Sequence, residues 1–416
     1  MPPPARGLRK FLKGQGFFIA SFKTNLALYS CAAVIRCGES LFTQRCPRMN
    51  KSRCGKMFVA ALALGLTFFS VPVASQQQTA ALRANDTELL MLGTAGGPPL
   101  RKARSEPATL LIVDGRPYLI DCGIGTIRRL VEAGIPSQTI GTIFFTHLHP
   151  DHDLGLVDVM ANDFFHLDLA SDARKINIYG PPQTSELVEA AFHFISIPFE
   201  VFAAEKPGFQ LGRPNHGLTS PFVAHEVAGE GVVYRDDKIQ ITAIENSHYA
   251  LMPAQFRAHF KSYSYRIQTP HGVVVFTGDT GPSDAVVKLA MRADVLVAEV
   301  EASSDELRGF IDQMAAQNHW PPARKQEFAA HMEKEHLTVD SLGELASKAQ
   351  VQSVLFYHYD PQNKAEQQAR VAAMKKYFHG LVLAPVDLDR FCLSKDEAQS
   401  EKAKFESCGR NTADQE

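Results

Sequence analysis

A short segment, Thr-His-Leu-His-Pro-Asp-His-Asp-Leu-Gly, brings His147, His149, Asp151 and His152 within six residues of one another. It follows an apolar stretch, residues 142–145, which predicts a short β-strand that ends where the cluster begins. A loop at a strand end can direct two imidazoles at one point, and Asp151 and His152 at a second point nearby. Imidazole and carboxylate groups are ligands that zinc, manganese and iron accept. The segment therefore predicts a metal site with hydrolytic chemistry.

The spacing His-x-His-x-Asp-His is the signature of the metallo-β-lactamase superfamily, and residues from about 88 to 390 resemble that family. Four further motifs of the family appear in its order, one before the cluster and three after it: Asp121 in Leu-Ile-Asp-Cys-Gly, His248 in Glu-Asn-Ser-His-Tyr, Asp279 in Phe-Thr-Gly-Asp-Thr and His358 in Phe-Tyr-His-Tyr. The resemblance implies two divalent metal ions, zinc first and manganese or iron as alternatives, with a hydroxide between them. It also implies that Asp121 supports the histidine loop or orients the ligands.

The resemblance assigns the ligands to two positions that share Asp279. The first ion would be held by His147, His149, His248 and Asp279. The second would be held by Asp151, His152, Asp279 and His358. Taken singly, His248 or His358 is as easily a structural histidine, and Asp279 a turn cap, but their order after the cluster favours the ligand roles.

The sequence resembles the ribonuclease Z and arylsulfatase-like branch more than the classical β-lactamases. Asp279 rather than a cysteine occupies the bridging position, and Tyr-Gly-Pro-Pro at residues 179–182 follows the first half as in that branch. His336-Leu-Thr resembles the branch's His-Ser/Thr motif, in which the histidine protonates or stabilises the leaving group. His336 is therefore a candidate acid, with a helix cap or a surface residue as the alternative, and Asp151 is a second candidate for proton handling.

Two departures from ribonuclease Z concern segment lengths. Only 30 residues separate His248 from Asp279, too few for the long arm with which that branch grips tRNA. The segment 303–335 is instead longer than expected and contains Phe310, Met314, His319, Trp320 and Phe328. It is either a lid that shapes a small apolar pocket over the metals or a helical hairpin without substrate contact.

The elements around these motifs alternate between strands and helices, with antiparallel hairpins among them. The pattern predicts strands at residues 88–92, 108–113, 118–120, 142–145, 176–179, 238–243, 263–267, 273–276, 295–300 and 353–357. It predicts helices at 126–133, 185–194, 283–291 and 339–349, with 303–335 largely helical. The alternation favours two sheets flanked by helices. The resemblance specifies an α/β (α+β) four-layer αββα sandwich, the metallo-β-lactamase fold.

The two ends of the chain predict processing and a tail. Residues 1–48 form a basic leader. We expect translation to start at Met49, so that the leader is not translated; a basic targeting extension is the alternative. Residues 49–75 have the basic, apolar and small-residue regions of a signal peptide. A polar linker (76–87), the catalytic domain (88–393) and a polar tail (394–416) without regular structure follow. We expect a periplasmic or secreted protein with no stable membrane span after cleavage; an uncleaved anchor is the alternative.

Charge and cysteine usage bear on the partners. From residue 76 onward the chain carries a formal charge of −12, which disfavours a nucleic-acid substrate. Cys392 and Cys408 can either pair in an oxidising compartment or stay free. The partners that we expect are a small-molecule ester substrate and, as one option, a second copy of the chain in a homodimer.

These features predict an exported di-zinc hydrolase of a small ester, either a phosphodiester or a sulfate ester. The alternatives are a lactonase or other carbon-ester hydrolase, a ribonuclease Z-like phosphodiesterase, and a metal-binding protein without catalysis.

Overall fold

Two mixed β-sheets with flanking helices make up the part of the chain that the computed structural model describes. That part comprises residues 86–166, 174–205, 220–361, 363–395 and 403–410. All of it belongs to the compact unit Ser75–Glu416. The predicted leader, the signal peptide and the linker as far as residue 85 lie outside the described residues.

The first sheet contains eight strands among the described residues. These are β1 (Thr87–Gly93), β2 (Ala108–Val113), β3 (Arg116–Ile120), β4 (Thr142–Phe144), β5 (Ile176–Gly180), β6 (Phe222–Glu226), β14 (Asp389–Ser394) and β15 (Lys404–Arg410). They are arranged in the order β15-β14-β1-β2-β3-β4-β5-β6. Strands β3 to β6 are parallel to one another, whereas the others pair antiparallel.

The second sheet contains seven described strands. These are β7 (Gly231–Arg235), β8 (Gln240–Glu245), β9 (Tyr263–Thr269), β10 (Gly272–Phe276), β11 (Val295–Glu299), β12 (Ser353–Tyr357) and β13 (Leu381–Leu383). Their order is β13-β12-β11-β10-β9-β8-β7, and β10 to β13 are parallel.

The helices of the described residues connect and cover these strands. They are α1 (Thr126–Glu132), α2 (Pro150–Asp153), α3 (Leu156–His166), α4 (Thr184–Glu205), α5 (Ala254–Arg257), α6 (Asp284–Leu289), α7 (Ser304–Gln317), α8 (Pro322–Lys334), α9 (Val339–Ala349) and α10 (Lys364–Met374).

Alternation along the strands produces the layers, because successive side chains of a strand point to opposite faces of its sheet. In β2, Leu110 and Ile112 pack towards α1, α3 and α4, while Leu111 and Val113 pack towards the second sheet. In β10, Val274 joins the core between the sheets and the next residue, Val275, joins the core under α6, α9 and α10. Helices, two sheets and helices therefore form four layers, and the predicted αββα sandwich is confirmed.

Several described elements were not predicted, among them α3, α10, β6, β7, β13 and β14. Three other differences concern the bounds of predicted segments. Helix α4 was expected to end at residue 194 but continues through Pro198 to Glu205, since Ile195 still packs in the core. Strand β1 begins at Thr87, one residue inside the predicted linker.

The third difference is a correction at the carboxyl end, where we predicted a polar tail without regular structure from residue 394. Residues 404–410 instead form β15, which pairs with β14 and is tied to it by a Cys392–Cys408 disulfide. The polar composition of this segment reflects an edge strand whose outer side faces water.

Among the described residues, one helix is long and apolar enough to cross a membrane by length and composition. It is α4, with a mean hydropathy of 1.5 over its most apolar window. Its residues Val188, Ala191 and Ile195 pack in the outer core of the first sheet.

The residues of the predicted metal site lie where strands end. Asp121 follows β3, the histidine cluster follows β4 after Phe145 and Thr146, and Asp279 comes shortly after β10. Glu299 is the last residue of β11, and His358 follows β12 directly. Ligands of open α/β sheets bind at the carboxyl ends of parallel strands.

Candidate metal centre

The first group of predicted ligands brings three imidazoles against one carboxylate. Nε2 of His248 lies 3.1 Å from Nδ1 of His149 and 4.0 Å from Oδ2 of Asp279. Nε2 of His147 lies 3.8 Å from the same Asp279 oxygen. His147, His248 and Asp279 are buried, and His149 is partly exposed at the mouth of the site.

The second group adjoins both oxygens of the same carboxylate. Nε2 of His152 lies 3.4 Å from Oδ1 of Asp279, and Nε2 of His358 lies 3.3 Å from Oδ2. Oδ2 of Asp151 is 3.3 Å from Nε2 of His358 and 3.7 Å from Nε2 of His152. The structure thus brings all seven predicted ligands together, with Asp279 between the two groups.

A metal ion would fit this arrangement. Zinc bound tetrahedrally at about 2.0–2.1 Å separates its ligand atoms by roughly 3.3–3.4 Å, close to the distances found here. His147 Nε2, His152 Nε2, Asp279 Oδ1 and His358 Nδ1 are buried without hydrogen-bond partners. Burying such atoms without a partner costs free energy. A cation between the two groups would provide the missing partner for His147 Nε2, His152 Nε2 and Asp279 Oδ1, but not for His358 Nδ1.

Asp121 supports the centre from behind and has no ligand geometry of its own. Its carboxylate accepts hydrogen bonds from the backbone N–H of Thr146 (2.8 Å) and the hydroxyl of Tyr357 (2.8 Å). It also contacts Nδ1 of His152 at 2.9 Å. This fixes the ring so that Nε2 points to Asp279, as expected for a residue that orients ligands. Its positive φ of 56° places the side chain under the histidine loop.

His336 lies beside both ligand groups, with its ring centre 4.9 Å from that of His248 and 6.2 Å from that of His358. It is neither a surface residue nor the cap of α9, because it is 7% exposed and the side chain of Thr338 caps that helix. Its Nδ1 lies 2.7 Å from Oε2 of the fully buried Glu299. Burial alone would lower the pKa of the ring, but the Glu299 carboxylate outweighs this effect and raises it to about 10.

Sequence reasoning missed Glu299. Glu299 is the last residue of an apolar strand, Val-Leu-Val-Ala-Glu, just as other site residues of this chain lie at strand ends. A polar residue at the end of an apolar strand is the signal by which it could have been found. Its second oxygen accepts a hydrogen bond from the backbone N–H of Thr280, beside Asp279.

A loop after β1 closes the side of the second group. The backbone N–H of Gly97 donates to Oδ2 of Asp151 at 3.1 Å. A Cβ added at Gly97 would lie 2.3 Å from Cβ of Asp151, and one at Gly96 would lie 3.0 Å from the ring of His358. Only residues without a side chain allow this approach, so the loop helps to set the position of Asp151.

The segment 303–335 forms the helix pair α7 and α8, and this pair contacts the site. Met314, Trp320 and Phe328 line a cavity of about 620 Å³ that reaches His149 and His248. We name it the tryptophan cavity. Of the two expectations for this segment, the geometry favours a wall over the metal centre.

A second cavity of about 860 Å³, the polar cavity, lies beside the other ligand group. It reaches His358 and Gly97 and is lined by charged residues that include Arg101, Glu301 and Arg370. Phe328 lines both cavities, so the two spaces adjoin at this side chain. The cavity that reaches His149 and His248 is therefore mainly apolar, and the one that reaches His358 combines apolar residues with a larger number of charged ones.

Comparisons with known proteins agree with this geometry. A family model of the β-lactamase superfamily domain matches residues 116–359, more than half of the chain. Ribonuclease Z of Mycolicibacterium gilvum (strain PYR-GCK) is 29% identical over 274 residues, 66% of this chain and 84% of that protein. Ribonuclease Z of Mycobacterium bovis (strain BCG / Pasteur 1173P2) is 27% identical over 306 residues, 73% of this chain and 97% of that protein. The metallo-β-lactamase fold protein YhfI from Bacillus subtilis has a TM-score of 0.50 at 16% identity, covering 73% of this chain and 98% of that one.

Proposed function

We propose that this chain, which belongs to the metallo-β-lactamase superfamily and is a metal-dependent hydrolase of ester bonds, is a two-zinc phosphodiesterase acting on small diesters outside the cytoplasm. The observation that carries the proposal is the carboxylate of Asp279 between two sets of ligands. His147 belongs to one set and His152 to the other, and both contact Asp279. Such a pair of sites suits hydrolysis of a phosphodiester, which needs charge stabilisation on both the attacking and the leaving oxygen.

When bound, two zinc ions would lower the pKa of a water molecule and polarise the ester bond. His147, His149, His248 and Asp279 would hold one ion, and Asp151, His152, His358 and Asp279 the other. Side chains of the protein supply the proton and stabilise the charge on the leaving group.

His336 supplies the proton for the leaving group. Its Nδ1–H donates to the Glu299 carboxylate, which leaves Nε2 as the nitrogen that delivers a proton. A charged ring beside a buried carboxylate also stabilises negative charge that develops on the departing oxygen.

The substrate's size and class follow from the surroundings of the centre. Two cavities beside the centre, one reaching His248 and the other His358, provide room for two ester substituents, which favours a diester over a sulfate or phosphate monoester. The relatives named ribonuclease Z support phosphodiester chemistry. The span between His248 and Asp279, described in full, holds only α5 and the β9–β10 hairpin, which supports a small diester over tRNA.

Export is supported by the Cys392–Cys408 disulfide, since such bonds persist mainly in oxidising compartments. Fractionation of the native host, with detection of the chain by antibody, tests this part separately. Recovery from the cytoplasm with both thiols reduced would contradict it.

Substrate turnover by purified, zinc-loaded protein tests the proposed reaction. Bis(p-nitrophenyl) phosphate should be hydrolysed faster than p-nitrophenyl sulfate, an acyl lactone or a precursor tRNA. Lactone opening without phosphodiester cleavage would favour a carbon-ester hydrolase. Accurate cleavage of precursor tRNA would favour tRNA processing instead.

A further inference from the structure

The tryptophan cavity has walls suited to a flat apolar group. Leu251, Met252, Met314, Trp320 and Phe328 line it, and His149 and His248 form the end nearest the metal centre. The rings of Trp320 and Phe328 meet edge to face, with centroids 5.4 Å apart and planes at 71°. Burial of an aromatic group against such walls is favourable, and an edge-to-face pair adds directional contacts.

The aromatic wall is held in a fixed orientation. The guanidinium group of Arg324 lies 4.7 Å from the centroid of the Trp320 ring, in a cation–π contact. Trp320 and Arg324 flank the turn into α8, so the contact also fixes the start of that helix. This contact restrains the Trp320 ring before a ligand binds, which lowers the entropic cost of binding.

The facing wall is attached to the same helix through Glu335, just beyond the end of α8. One carboxylate oxygen of Glu335 accepts a hydrogen bond from the backbone N–H of Leu251 at 2.8 Å, and the other lies 2.7 Å from Nδ1 of His331. The backbone carbonyl of Glu335 lies 2.9 Å from Nδ1 of His248. A single residue thus joins the helix pair, the loop after His248 and the metal-ligand ring itself. The cavity and the first ligand group keep a fixed spacing.

From these contacts we infer that the substrate is a diester with one flat, apolar aryl substituent, which lies in the tryptophan cavity against Trp320 and Phe328. The inference rests on the proposed phosphodiesterase function for the ester group itself. The second substituent lies on the far side of Phe328, in the polar cavity. Specificity for the aryl group is then a property of α7 and α8, and not of the metal ligands.

Trp320 is the only tryptophan in the sequence, so its fluorescence reports on this cavity alone. The probe is diphenylphosphinate, whose two phenyl groups are attached through P–C bonds that the enzyme cannot hydrolyse. Dimethylphosphinate is the control, since it has the same charge and no rings. Titrated into the zinc-loaded full chain, diphenylphosphinate should change the Trp320 emission saturably. Dimethylphosphinate should bind at least about tenfold more weakly.

Two variants separate the cavity from the rest of the protein. Phe328→Ala should weaken diphenylphosphinate binding about tenfold and leave dimethylphosphinate unchanged. Phe194 is an exposed residue on α4, and Phe194→Ala should leave the affinities for both phosphinates unchanged. Equal affinity for both phosphinates, or an unaltered diphenylphosphinate affinity in Phe328→Ala, would overturn the inference. Saturable, ring-dependent binding by a protein that hydrolyses no diester would support the tryptophan cavity as an aryl site and refute the proposed function, and with it the diester part of the inference.

Discussion

Oε2 of Glu299 and Nδ1 of His336 lie 2.7 Å apart, although the two residues are 37 positions apart in the chain. Glu299 is fully buried at the end of β11, and His336 lies in the loop between α8 and α9. Burial raises the pKa of Glu299 to about 7, and the pair holds the imidazole beside both ligand groups. A buried carboxylate next to a histidine is the arrangement by which enzymes orient and charge a general acid.

His336→Ala should lower kcat by about 100-fold or more for diphenyl phosphate, because general acid catalysis typically contributes that much. The loss should be smaller for bis(p-nitrophenyl) phosphate, whose leaving group departs with less need of a proton. Zinc content, measured by elemental analysis, should be unchanged. Equal losses on both substrates would assign His336 a structural role only.

Glu299→Gln should have the same effect on kcat in weaker form. His336 and the backbone N–H of Thr280 donate to different oxygens of Glu299, and glutamine has an amide NH2 group in place of one of them. We expect kcat to fall about tenfold while KM for each substrate stays within about twofold. A rise in KM with no change in kcat would show that Glu299 acts on binding and not on the acid.

His149→Ala should remove metal from the first ligand group and lower activity at least about 100-fold, because it removes a ligand and not merely a supporting residue. The fold should persist, since His149 is partly exposed and contributes little to the core. Circular dichroism and elemental analysis check the two statements. His193→Ala, an exposed histidine on α4, is the control. Full metal content in His149→Ala would refute the ligand assignment.

Gly97→Ala should reduce activity by about 10- to 100-fold, because its Cβ would lie 2.3 Å from that of Asp151 and must displace that carboxylate. Gly309→Ala on α7 is the matched control, since a Cβ there meets nothing within 4 Å. Initial rates on bis(p-nitrophenyl) phosphate measure both. An active Gly97→Ala variant with unchanged zinc affinity would show that the loop after β1 does not set the position of Asp151.

Replacing both Cys392 and Cys408 by Ser should lower the free energy of unfolding by about 3 kcal/mol, the value for a closed loop of this length. The rate of ester hydrolysis should stay unchanged, because β14 and β15 lie at the far edge of the first sheet from the histidine cluster. Denaturant unfolding with and without reductant measures the first effect. Equal midpoints for wild type and variant without reductant would mean that the bond does not form.

The metal ligands could be predicted from the sequence because they lie in linear motifs. A cluster such as His147 to His152 is recognisable where a lone residue is not. The αββα layers likewise followed from strands and helices that alternate in recognisable lengths. Glu299 and Glu335 escaped notice because each acts through contacts across the fold, with His336 and with Leu251. Strand β15 was missed because pairing with β14 and a disulfide stabilise it, and neither is visible in its polar sequence.

Zinc titration of the metal-free protein, with bound metal and hydrolysis of bis(p-nitrophenyl) phosphate followed together, tests the two-metal phosphodiesterase most directly. Activity should rise with zinc and reach its maximum only near two ions per chain, because Asp279 adjoins two separate ligand groups. Full activity at one ion per chain, or hydrolysis that does not depend on metal, would contradict the account.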